Sequence, residues 1–134
     1  MSEILKVFLG TNGRIGDSPE LKRLGIESKE KEGFQLFLTA YDMIQELEIL
    51  PEVRKVKVRG GRPDACVASA INYFLRIGLS VGVDMPYIRT DFDEELNRNP
   101  DLLAKVIVRG LDEDVDISKL TLIFTDKICS VRKS

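Results

Sequence analysis

Four cations are closely spaced in one short stretch of the chain, Lys55, Lys57, Arg59 and Arg62. In an extended strand, residues two apart share a face, so Lys55, Lys57 and Arg59 form a row while Val56 and Val58 point the other way. One face is then core and the other cationic. A row of this kind suits contact with a phosphate backbone, which asks for positive charge at intervals rather than for any one base. The plainer reading of the same row is a solvated sheet face neutralised by neighbouring Asp and Glu. Aromatic side chains are not interleaved with the cations, so stacking on single-stranded bases is not indicated.

The row sits inside Val53–Gly78, VRKVKVRGGRPDACVASAINYFLRIG, which reads as a strand, a tight turn and an apolar helix in succession. Gly60 and Gly61 permit a turn that β-branched residues resist, and Pro63 with Asp64 suits the first turn of a helix. That helix is expected over about Asp64–Ile77, with Ala65, Ala68, Ile71, Phe74 and Leu75 as its core stripe and Gly78 as its C-cap. Ile4–Leu9 alternates as a first, buried strand. Residues 10–33 read as a long surface connection; Gly10, Gly13 and Gly16 match neither GxGxxG nor GxxxxGK[ST], so a nucleotide cradle is not expected there. Phe34–Leu50 reads as a first main helix with two apolar rows, wide enough to cover part of the sheet and to meet a partner subunit. Leu79–Ile88 and Leu120–Ile128 read as strands, and Leu103–Arg109 alternates well enough to be a further one. The expected fold is therefore α/β, a two-layer sandwich of two helices on four or five strands, in one domain spanning 1–134.

At 134 residues, with 43% hydrophobic and 31% charged side chains, the chain has the composition of a globular domain. The charge surfeit is compatible with a thermophilic source. A formal net charge of −2 argues against coating nucleic acid by bulk charge, so polyanion contact must be local. The complete lack of histidine removes Ser-His triads, histidine acid–base catalysis and the commonest zinc sites. Cys66 and Cys129 are far apart and outside any CxxC, which predicts reduced thiols in a cytoplasmic protein. Acidic clusters at Asp91, Asp93, Glu94, Glu95 and at Asp112, Glu113, Asp114, Asp116 lack the glycine and glutamate register of a calcium loop and read as solvated loops. No metal, cofactor or catalysis is expected. Neither a membrane span nor a signal peptide is expected, since MSEILKVFLG enters a strand pattern at once.

The run VRKVKVRGGRP followed by DACVASAINYFLRIG resembles the middle of an Alba-family protein, a family of archaeal nucleic-acid-binding proteins. In that family a Lys-rich strand ends in a glycine–arginine turn leading into an alanine-containing helix. The likeness is clear over Val53–Val83 and looser at the first and last strands. It implies a β-α-β-α-β-β domain, here with a long loop between the first strand and the first helix, that dimerises and binds DNA or RNA. On the matching positions it implies phosphate contact from Arg59, Arg62 and Lys57, helped by Arg14 from the long loop. Two departures stand out: the lysines that Alba proteins carry after the first strand are replaced by Gly10-Thr11-Asn12-Gly13-Arg14, and the family's basic hairpin is acidic here. The rival expectation is a protein-interaction module that shares the fold and has lost nucleic-acid binding.

Overall fold

Alternation decides the central strands. In the computed structural model, which describes residues 4–9, 33–37, 39–60, 67–88, 99–125 and 128–130, β1 is Ile4–Leu9, β2 Gln35–Phe37 and α1 Ala40–Glu46. These are followed by β3 (Lys55–Gly60), α2 (Ala68–Arg76), β4 (Ser80–Asp84), α3 (Pro100–Arg109), β5 (Leu120–Ile123) and β6 (Ile128–Ser130). The six strands form one sheet in the order β2-β1-β3-β4-β5-β6. Neighbours from β2 to β5 run parallel, and only β5–β6 is antiparallel.

One face of this sheet carries Leu5, Val7, Leu9, Val56, Val58, Val81, Val83, Leu120 and Leu122, all buried in a core with Met43 of α1, Ile71 and Phe74 of α2, and Leu103 and Ile107 of α3. Burying the apolar stripes of three helices against one apolar sheet face gives a two-layer α/β arrangement. The expected burial of Ala68, Ile71, Phe74 and Leu75 on the second main helix is found. Ala65 lies outside the described residues.

Three segments depart from expectation. Leu120–Ile128 is not one strand: Leu120–Ile123 is β5, and Ile128–Ser130 pairs back on it antiparallel as β6. Phe34–Leu50 is not one helix: Gln35–Phe37 pairs with Val7–Leu9 as a strand, and the helix starts only at Ala40, where the Thr39 hydroxyl accepts from the Asp42 amide at 3.1 Å. Backbone pairing with β1 outweighs the helical spacing of Phe34, Phe37, Tyr41 and Ile44. Leu103–Arg109 is helix rather than strand. Asn99 caps it by accepting from the Leu102 amide at 3.1 Å, Pro100 opens its first turn, and Leu103 and Ile107 bury at a spacing of four. Capping and tertiary burial override the strand preference of Val106, Ile107 and Val108. The described order is thus β-β-α-β-α-β-α-β-β, with one helix and two strands more than the β-α-β-α-β-β pattern holds.

The second acidic cluster is also not a hairpin. It joins α3 to β5, and Arg76 Nη2 of α2 donates to Asp112 Oδ2 at 2.5 Å and to Asp114 Oδ1 at 2.8 Å. Asn72 adds to the clamp, its Oδ1 accepting from the Asp112 amide and its Nδ2 donating to the Gly110 carbonyl. These carboxylates are therefore tied to the helical layer.

Candidate nucleic-acid interface

The sheet face turned away from the three helices carries the cations. Strand register sets Lys6 of β1 directly beside Lys57 of β3, and Ile4 beside Lys55. On the far side of β3, Ser80 and Gly82 of β4 stand beside Lys55 and Lys57, and Thr121 of β5 stands beside Gly82. Alternation that buries Val56 and Val58 has no choice but to bring Lys55, Lys57 and Arg59 to this face. Lys6 follows from the same rule applied to Leu5 and Val7.

The face changes character along the strands. Near the amino ends, Ile4, Lys6 and Lys55 are exposed. Near the carboxyl ends, Phe8 is buried and Asp84 is only 5% exposed. Asp84 is the buried charged residue of the described chain, and its compensation is specific: Arg59 Nε donates to its Oδ2 at 2.6 Å, and Lys57 Nζ stands 4.0 Å from its Oδ1. The Arg59 guanidinium also lies over the Phe34 ring, 4.4 Å from its centroid, and Lys6 Nζ approaches the same ring at 5.8 Å. A cation over an aromatic face is held by the ring quadrupole. Arg59 is thus a buttress between β3, β4 and the start of β2, with its side chain 19% exposed.

Of the four cations expected at the site, the structure brings Lys57 and Arg59 to one face, while Arg14 and Arg62 lie outside the described residues. Sequence reasoning did not foresee Lys6 and Lys119 as members of the patch, nor Asp84 as the partner of Arg59. Lys6 was legible from the alternation of β1. Lys119 and Asp84 were not, because they meet the row only through strand pairing. Among the described residues, no carboxylate lies within ion-pair distance of Lys6 or Lys55.

The carboxyl ends of β1 and β3 meet where the strand order reverses, the chain stepping from β1 to β2 on one side and returning to β3 on the other. There Gly60 adopts φ +69°, and a Cβ on it would stand 2.5 Å from the Leu9 carbonyl oxygen. Cys66 lies outside the described residues; Cys129 on β6 is a free, partly buried thiol. Among the described residues no group of three or more Cys, Asp or Glu is placed to hold a metal ion, and no helix is long and apolar enough to cross a membrane. No protein family, curated protein or solved structure matches the chain.

Proposed function

We propose that the protein binds nucleic acid, DNA or RNA, through phosphate contacts on the cationic sheet face. The observation that carries this reading is the cluster of Lys6, Lys55 and Lys57, brought to one face by strand register, with only Lys57 near a carboxylate among the described residues. Like charges placed opposite one another on a sheet repel, so an anion laid across them relieves a cost already built into the fold. Lys55 and Lys57 project about 6.6 Å apart along the strand, close to the step between successive phosphates of an extended strand. The Alba-family likeness of Val53–Val83 belongs to the same proposal, which stands on the cations rather than on that likeness. Arg59 serves it from behind, by taking the closer bond to Asp84 at 2.6 Å and leaving Lys57 the looser one at 4.0 Å, instead of contacting phosphate itself.

Fluorescence anisotropy with labelled single-stranded and duplex DNA and RNA tests the reading. At low ionic strength the Lys55→Ala/Lys57→Ala variant is expected to bind at least about tenfold more weakly than the parent protein. Equal affinity of the two proteins rejects the proposal, and no binding by either favours the rival protein-interaction module. Dimerisation belongs to the proposal too: Tyr41 on α1 and Leu50 after it are 70% and 50% exposed and offer apolar surface for a second copy. Light scattering on the same samples should then return twice the 15.1 kDa chain mass.

A further inference from the structure

The cationic face is not flat. Over the amino-terminal half of β3, β4 and β5 it dips into an open groove of about 360 Å³, bordered by Ile4, Lys55, Lys57, Ser118, Lys119 and Thr121. That volume falls within the range of small-ligand clefts. Gly82 also lines it, and a Cβ there would come within 3.2 Å of Ile123 Cδ1, so any larger side chain would project into the groove.

Among the described residues the charge lining the groove has one sign: Lys55 and Lys57 come from β3 and Lys119 from the turn before β5, with no carboxylate beside them in the lining. Lys119 is oriented by donating to the Gly78 carbonyl at 3.3 Å. Asp84, the carboxylate next along the face, is already held by Arg59. Ser80 and Thr121 supply hydroxyls, while the Ser118 hydroxyl is spent on Asp116 Oδ1. Ile4 and Ile123 give the groove apolar flanks against which a sugar or base can lie.

Three lysines bordering one groove exceed what a single backbone diester, with one negative charge, asks for. A phosphate monoester carries a charge of about −1.5 to −2 near pH 7 and three strong acceptor oxygens. We infer that this groove is a phosphate-monoester site, taking either the terminal phosphate of a nucleic-acid strand or the phosphate of a free nucleotide. The inference deepens, and in its strand-end form rests on, the reading of this face as a nucleic-acid interface.

Calorimetry with one ten-nucleotide strand in 5′-phosphorylated and 5′-hydroxyl forms, and with adenosine monophosphate, tests it. The phosphorylated strand is expected to bind about tenfold more tightly than the hydroxyl form, the equivalent of one charge-assisted contact set. That advantage should vanish in Lys119→Ala, which removes a surface charge, and in Gly82→Val, which fills the groove without removing any. Circular dichroism on both variants verifies the fold. Adenosine monophosphate competing on equal terms with the phosphorylated strand identifies the free nucleotide as the ligand, and much weaker binding identifies the strand end. Equal affinity of the two strands together with no binding of the monophosphate overturns the inference, as does an advantage that survives Lys119→Ala. In the first of those outcomes, salt-dependent binding of both strands leaves the backbone reading standing. Conversely, monophosphate binding without strand binding upholds the groove and removes the nucleic-acid reading.

Discussion

Replacing Arg59 with alanine is expected to destabilise the protein by about 3–5 kcal/mol, the cost of leaving one member of a buried ion pair without its partner. Asp84 is 5% exposed, and the Arg59 Nε bond at 2.6 Å is its close compensation, with Lys57 Nζ no nearer than 4.0 Å. Stacking of the guanidinium over Phe34 would be lost at the same time. Against a total stability of about 5–15 kcal/mol for a domain of this kind, the change should be plain in a urea melt. Arg59→Lys keeps the charge but neither the planar fork nor the stacking, so it should fall between the two. Replacing both partners by leucine should restore most of the loss, because two matched apolar groups remove the desolvation cost together. A change below about 1 kcal/mol for Arg59→Ala would mean that Asp84 is compensated by something other than Arg59. Loss of nucleic-acid binding in this variant, taken alone, would report on folding as much as on phosphate contact.

Gly60→Ala is expected to cost about 2–5 kcal/mol, from two sources that add. A side chain at φ +69° adopts the left-handed conformation, at about 1–2 kcal/mol. Its Cβ would also be driven to 2.5 Å from the Leu9 carbonyl oxygen and 2.8 Å from Phe8 Cε1, and relieving such a clash in a packed region costs about 1–3 kcal/mol. The obstructing atom is backbone in the neighbouring parallel strand, so it cannot swing aside. By contrast, Gly78 also has positive φ, +90°, but nothing stands within 4 Å of its missing Cβ. Gly78→Ala should therefore be the milder substitution in the same denaturation series, and an equal loss for both would show that conformation alone, not the approach of β1 to β3, sets the requirement at Gly60.

The central strand was legible because its alternation is unambiguous: Val56 and Val58 had to go one way, and the cations the other. Gly60 was legible as a turn residue for a related reason. What the sequence concealed is whatever strand pairing creates. Nothing in LAKVIVRG distinguishes a strand from a short helix until the Asn99 cap and the burial of Leu103 against the sheet are known. Phe34–Leu50 misled through real helical spacing, since a three-residue strand leaves too little pattern to compete with it. The partner of Arg59 lies 25 residues away, and Lys119 joins Lys55 and Lys57 only because β4 and β5 are laid beside β3. The acidic loop, read from the sequence as solvated, is anchored through Asp112 and Asp114 to Arg76 in the helical layer.

The central claim, phosphate contact by the lysines of the open sheet face, is tested most directly by the salt dependence of binding. A plot of log association constant against log salt concentration should fall linearly for the parent protein, and the Lys55→Ala/Lys57→Ala variant should show a slope shallower by about 2, one for each lost contact. An unchanged slope in that variant would place the phosphates elsewhere and contradict the account.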